Sequence, residues 1–117
     1  MTDAAVADCL FCRIVAGQLP ADEVYRDDDV VVFADIDPQA PVHLLVVPAR
    51  HAENAAELGS ADPLAAGRLL AVAGSVAATA GLTGYRIVFN TGAEAGQSVF
   101  HVHAHVLGGR PLSWPPG

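Results

Sequence analysis

Residues 100–107 read FHVHAHVL, with histidines at 101, 103 and 105 alternating with apolar residues. A period of two belongs to an extended strand, whose successive side chains point to opposite faces. A strand over 99–107 places His101, His103 and His105 on one face and Val102, Ala104 and Val106 on the other. Neighbouring histidines in such a row have Cα atoms about 6.5–7 Å apart, close enough for all three to line one ligand site. The second set is small and apolar, as expected where a sheet packs on a helix. A helical reading would split the middle histidine from the outer two, and the Gly108–Gly109 break also favours the strand.

The remaining segments supply partners for that strand. The stretch CLFCRIVAG predicts a short helix stopped by Gly17, with Pro20 beyond it. EVYR, VVVFADI and VHLLVVP have strand character and are separated by the turn-forming DDD and DPQAP. One long helix is predicted over 62–80, with Asp62 as N-cap, Pro63 at the first helical position and Gly81 as its stop. Leu64, Leu69, Val72 and Val76 recur at helical spacing and would form its buried face. YRIVFNT and SVFHVHAHVL are two further strands, joined by the loop GAEAGQ. The expectation is an α+β domain on a mostly antiparallel five-stranded sheet, with one long and one short helix. A single domain over 9–117 follows a flexible tail of residues 1–8.

Composition narrows the function. The chain has 117 residues, 52% of them hydrophobic and 16% charged, enough to bury a core. No apolar run approaches the roughly 20 residues of a membrane span, and MTDAAVAD lacks the pattern of a secretory signal, so a cytoplasmic protein without membrane partners is expected. Six arginines, no lysine and thirteen acidic residues give a formal charge of −7. Such a chain is unsuited to non-specific binding of a nucleic-acid backbone, which relies on Lys and Arg. A phosphate ligand would need local donors from backbone N–H groups, histidines and one or two arginines.

Three imidazoles on one face can be solvent-exposed, can share a zinc ion, or can act without metal. In the last case one attacks an electrophilic centre while its neighbours hydrogen-bond around it. The segment NTGAEAGQS just upstream bears on the choice. Gly92 and Gly96 permit backbone N–H groups to turn toward one anion, and Gln97 and Ser98 add side-chain donors. Beside a histidine row this loop reads as a phosphate pocket with a nucleophile next to it, and it needs no lysine.

HVHAHV fits the histidine-triad signature, and GQSVFHVHAHVLGGRPLSWPPG closely resembles the C-terminal end of the Hint branch, the histidine-triad nucleotide-binding proteins. The similarity extends through FCRIVAGQLPA and VVVFADIDPQAPVHLLVVPARH, covering nearly all the chain after its first eight residues. The resemblance implies a HIT-like homodimer that binds purine mononucleotides and AMP or GMP conjugates, hydrolysing nucleoside phosphoramidates and acyl-adenylates. His103 would be the nucleophile, forming a covalent nucleotidyl-histidine. His105 would face the phosphate oxygens, His101 would orient the nucleophile, and His43 would complete the cluster. Ser98 would serve a phosphate oxygen or the leaving group.

By the same pattern Asn90, Gly96, Gln97 and Val99 would contact the nucleotide near its phosphate or ribose. Asp35 would grip the ribose hydroxyls, and Phe11, Ile14, Phe33, Ile36 and Leu45 would surround the base. Trp114, in the tail SWPPG, would reach the partner's active site and help set the leaving group.

Cys9 and Cys12 form a C-x-x-C pair at a helix start. From the residues alone they could be a redox dithiol, two buried hydrophobes, or half of a zinc site. The resemblance adds His51 and His101 as the other two ligands of a structural zinc ion, with no cofactor needed for the chemistry. Rival functions are a zinc-dependent metallohydrolase using the triad, a nucleotide-binding regulatory module with little turnover, and, within the family, a dinucleoside polyphosphate hydrolase or nucleotidyl transferase.

Overall fold

A computed structural model describes residues 8–117, so the expected tail lies, apart from Asp8, outside the described residues. Five strands form one sheet: β1 (Glu23–Arg26), β2 (Val30–Ala34), β3 (Val42–Pro48), β4 (Tyr85–Val88) and β5 (Ala104–Gly108). Their spatial order is β1-β2-β3-β5-β4, and each neighbouring pair is antiparallel. The last strand in the sequence is therefore inserted beside the central one. His43 stands opposite Leu107, and Leu45 stands opposite His105.

The central strands are near-continuous apolar runs because both faces of the sheet are covered. On one face Val30, Val32, Leu44, Val46, Ala104 and Val106 pack with Leu69, Val72, Ala73 and Val76. These last four belong to the long helix α3 (Pro63–Thr79), whose N-cap Asp62 accepts a hydrogen bond from the Ala65 N–H. On the other face Val31, Phe33, Leu45 and Val47 pack against Phe11 and Ile14 of α1 (Leu10–Val15). Val102, Ala104 and Val106 thus lie on the helix-covered side, as the alternation requires.

Three expectations need correction. A further helix, α2 (Ala55–Ala61), follows β3, so the described residues hold two short α-helices where one was expected. Its signal was the cap: Asn54 Oδ1 accepts from the Glu57 N–H while Glu57 Oε1 accepts from the Glu53 N–H. Leu64 is 86% exposed, because it sits on the side of α3 away from the sheet. The final strand begins at Ala104 rather than 99, since its pairing with β3 ends at Val46↔Ala104. Upstream of that point the chain leaves the ladder, and the Val102 N–H donates to the Ala52 carbonyl at 2.8 Å.

Candidate active site and metal centre

Leaving the ladder at Ala104 changes what the histidine row can do. His103 and His105 line a cleft of about 360 Å³, together with Asp35, Ser98 and Val99. The His101 side chain is fully buried away from this cleft, among the cysteines. Larger clefts exist, including one of about 600 Å³ beside β4, but no histidine lines that one.

Hydrogen bonds fix the tautomers along the row. His103 Nδ1 is 2.8 Å from the His101 carbonyl oxygen, which can only accept, so Nδ1 carries the proton. Nε2 of His103 is left as a lone pair. The Gln39 N–H donates to His43 Nδ1 at 3.0 Å, so the proton of neutral His43 is on Nε2. That Nε2–H lies 2.9 Å from His105 Nδ1, which must accept, placing the proton of His105 on its Nε2. The cleft is thereby furnished with one basic nitrogen and one N–H donor from neighbouring rings whose centroids are 4.9 Å apart.

Burial reinforces this neutral state. It is the largest influence lowering the His103 pKa, opposed by the His101 carbonyl and Asp35. For His105, burial, His103 and His43 together lower the pKa to about 4 against the pull of Asp35. Asp35 Oδ2 lies 3.3 Å from His43 Nε2, and its Oδ1 accepts from the Asp37 N–H at 2.8 Å.

The predicted base-binding residues Phe11, Ile14, Phe33 and Leu45 are buried and line the same cleft, with Ile36 fully exposed at its rim. The Phe11 ring meets His103 edge to face, with centroids 5.0 Å apart. Leu10, Pro20, Ala21 and Asp22 also line the cleft; nothing in their spacing marks them in the sequence.

Other expected residues lie elsewhere. Gln97 is buried, with Nε2 donating to the Glu53 and Val99 carbonyls at 2.7 and 3.2 Å and Oε1 accepting from the Gly92 N–H. Its side chain clamps the loop and has no hydrogen left for a ligand. Gly96 adopts φ 93°, closing the short 3-10 turn Ala93–Ala95, and a side chain there would approach Asn90 Nδ2. Neither Asn90 nor Gly96 lines the cleft. Trp114 is 81% exposed, its tail held where Arg86 donates to the Ser113 carbonyl.

The second cluster is the predicted metal set. One ligand atom each from Cys9, Cys12, His51 and His101 lies within 4.8 Å of the others. His101 Nε2–H donates to the Pro48 carbonyl at 2.9 Å, which leaves Nδ1 as a lone pair. That Nδ1 is 3.4 Å from each sulfur and 3.2 Å from His51 Nδ1. Two thiols and two imidazole nitrogens converging in this way fit a tetrahedral Cys₂His₂ zinc site, with the Pro48 carbonyl as the outer partner that sets the ring. His101 therefore serves His103 through its backbone carbonyl, while its imidazole belongs to the other cluster. Because His101 faces away and His103 Nδ1 is occupied, the three imidazoles of the row do not converge on one point.

Residues 16–112 match the HIT domain family. An uncharacterized HIT-like protein of Synechococcus elongatus is 48% identical over 111 residues, which are 94% of this chain and 97% of that one. The crystal structure of a HIT family hydrolase from Legionella pneumophila superposes with a TM-score of 0.90 at 43% identity, over 94% of this chain and all of the other. A Zn-bound histidine triad family protein from Mycobacterium smegmatis (34% identity, 88% and 76% covered) gives a TM-score of 0.78. A histidine triad nucleotide-binding protein from Candida albicans (27% identity, 92% and 83% covered) gives 0.78 as well. The fold is that of HIT family hydrolases, and the chain belongs to the HIT domain family.

Proposed function

We propose that the protein is a nucleoside phosphoramidase of the Hint type, acting as a cytoplasmic homodimer on AMP or GMP joined to an amine or acyl group. The observation that carries this reading is the 2.8 Å contact from His103 Nδ1 to the His101 carbonyl, which supports Nε2 as a nucleophile facing the cleft. In the first step Nε2 attacks the α-phosphorus, forming a P–N bond to His103 as the bond to the leaving nitrogen breaks. The departing nitrogen takes a proton, for which the Ser98 hydroxyl lining the cleft is a suitable relay. Water then attacks phosphorus, the bond to Nε2 breaks, one proton goes to solvent, and the nucleoside monophosphate leaves.

His105 Nε2–H and the backbone N–H groups of Ser98 and Val99, which line the cleft, would stabilise the charge developing on the phosphate oxygens. The buried Phe11, Ile14, Phe33 and Leu45 suit a purine read mainly by its apolar faces, with Asp35 at the ribose. Zinc at Cys9, Cys12, His51 and His101 would supply stability, stapling α1 to the chain entering β5. Self-association is supported by β4, an edge strand whose outer side leaves backbone groups to be paired.

The test is hydrolysis of an adenosine 5′-phosphoramidate by the wild type and by His103→Ala, with and without chelator. Turnover that survives chelation and is lost with the substitution supports the reading. Turnover lost to chelator in a folded protein would contradict it and favour a catalytic metal.

A further inference from the structure

Two stretches of chain carry both the cysteine–histidine cluster and the histidine cleft. In the first, Cys9, Leu10, Phe11 and Cys12 are consecutive, with the cysteines in the cluster and Leu10 and Phe11 lining the cleft. In the second, Ser98, Val99 and His103 line the cleft while His101, between them in sequence, belongs to the cluster. The cluster and the cleft are therefore two sides of one junction between these stretches. His51 completes the cluster from a third segment and does not line the cleft.

Contacts cross that junction. The Phe11 ring meets the His103 ring with centroids 5.0 Å apart and the His101 ring at 6.1 Å, both edge to face. His101 in turn places its ring nitrogen 3.4 Å from the sulfurs that flank Phe11 in sequence. A group that bonded these sulfurs and this nitrogen would fix where Phe11 sits against His103.

The first stretch needs such a tie. Helix α1 has six residues, too few to be stable as a helix on its own. Its C-terminal end is held by Arg26, which donates to the Val15 and Ile14 carbonyls at 2.9 and 3.3 Å. At its N-terminal end the sulfurs lie 3.3–3.4 Å from nitrogens of His51 and His101, and thiols make only weak hydrogen bonds. A zinc ion bonded to all four groups would replace these weak contacts with strong ones.

We propose that the metal state of this cluster sets the nucleotide affinity of the cleft. Zinc ties the Leu10–Phe11 stretch to the Ser98–His103 stretch, so the two walls are already ordered when a nucleotide arrives. The coupling is reciprocal, so a bound nucleotide must tighten zinc by the same factor. The inference rests on the nucleotide-binding reading of the cleft and adds a regulation of that site by zinc supply. Zinc loss should raise KM and leave turnover at saturating substrate, in keeping with a chemical step that needs no metal.

The test is the Kd of AMP, measured by calorimetry well below the unfolding midpoints, for three proteins. These are the zinc-loaded full chain, the same chain stripped by chelator and dialysed, and His51→Ala, which loses a ligand outside the cleft. The zinc-loaded chain should bind AMP at least about fivefold more tightly than the other two. Competition with a chromophoric chelator should show saturating AMP raising zinc affinity by that same factor. Zinc that only stabilises the fold would lower Tm on removal yet leave the AMP Kd of the folded protein within about twofold, overturning the coupling. Should far-UV circular dichroism show both zinc-free proteins unfolded, the cadmium-loaded chain replaces them, because thiolates also hold this larger ion. Its AMP Kd should then differ from that of the zinc form by more than about twofold, and equal values would overturn the proposal. No AMP binding even by the zinc-loaded chain would overturn the nucleotide reading of the cleft, and the coupling with it.

Discussion

The carbonyl oxygen of His101 accepts the Nδ1–H of His103 at 2.8 Å, while the imidazole of His101 turns to Cys9 and Cys12. One residue thus belongs to both clusters, through its backbone to the catalytic candidate and through its side chain to the metal candidate.

The pH dependence follows from neutral imidazoles. A free histidine, with a pKa near 6.5, is about nine-tenths protonated at pH 5.5. His105 is held near 4, chiefly by burial, and His103 is lowered by the same cause. Because the folded values are depressed, the active neutral forms persist as pH falls below 6.5 and are lost only on approaching the folded values. Phosphoramidate kcat/KM at pH 5.5 should therefore retain clearly more of its pH 7.5 value than the roughly one-tenth left to a free imidazole. An acid limb centred at 6.5 would contradict this.

His43 is a positioning residue, acting on His105 rather than on phosphorus. His43→Phe removes the donor at 2.9 Å that holds the His105 tautomer. It should lower kcat about 10²-fold. Glutamine can place an amide N–H near the same point, so His43→Gln should recover part of the loss. Equal loss in both variants would assign His43 a merely structural part.

The metal centre makes its own prediction. Protein purified without chelator should carry about one zinc per chain, and Cys12→Ser should abolish most of it while lowering Tm. Less than about a tenth of a zinc per chain in the wild type would remove the site from the account.

Helix α3 offers a contrast between two leucines. Leu69 is 1% exposed against the sheet, whereas Leu64 is 86% exposed. Leu69→Ala should cost about 3 kcal/mol in urea unfolding and Leu64→Ala within about 0.5 kcal/mol. Comparable losses would mean that the helix packs differently.

Much of this was legible in the sequence because local chemistry and global packing agree. Asp62 and Pro63 announce the start of α3, and the unbroken VHLLVVP announces a strand covered on both faces. The alternation of Val102, Ala104 and Val106 located the helix-covered side. What the row could not reveal is where pairing stops. β3 runs on to Pro48 beside β2, yet its pairing with β5 ends at Val46↔Ala104, where the Val102 N–H turns to the distant Ala52 carbonyl and His101 leaves the shared face. Backbone partners were invisible for a related reason. The Gln39 N–H and the Pro48 carbonyl that fix His43 and His101 carry no side-chain signal. Gln97 has the composition of a ligand donor, and only its three internal hydrogen bonds reveal it as a clamp.

The central claim is that His103 becomes covalently nucleotidylated. The most direct measurement is acid- and base-quenched mass spectrometry of the protein during turnover of an adenosine 5′-phosphoramidate, mapped by peptide. The account predicts a base-stable, acid-labile adenylyl adduct on His103 that is absent in His103→Ala and forms equally with chelator present. Steady turnover with no adduct on any histidine, even in a rapid quench, would contradict it.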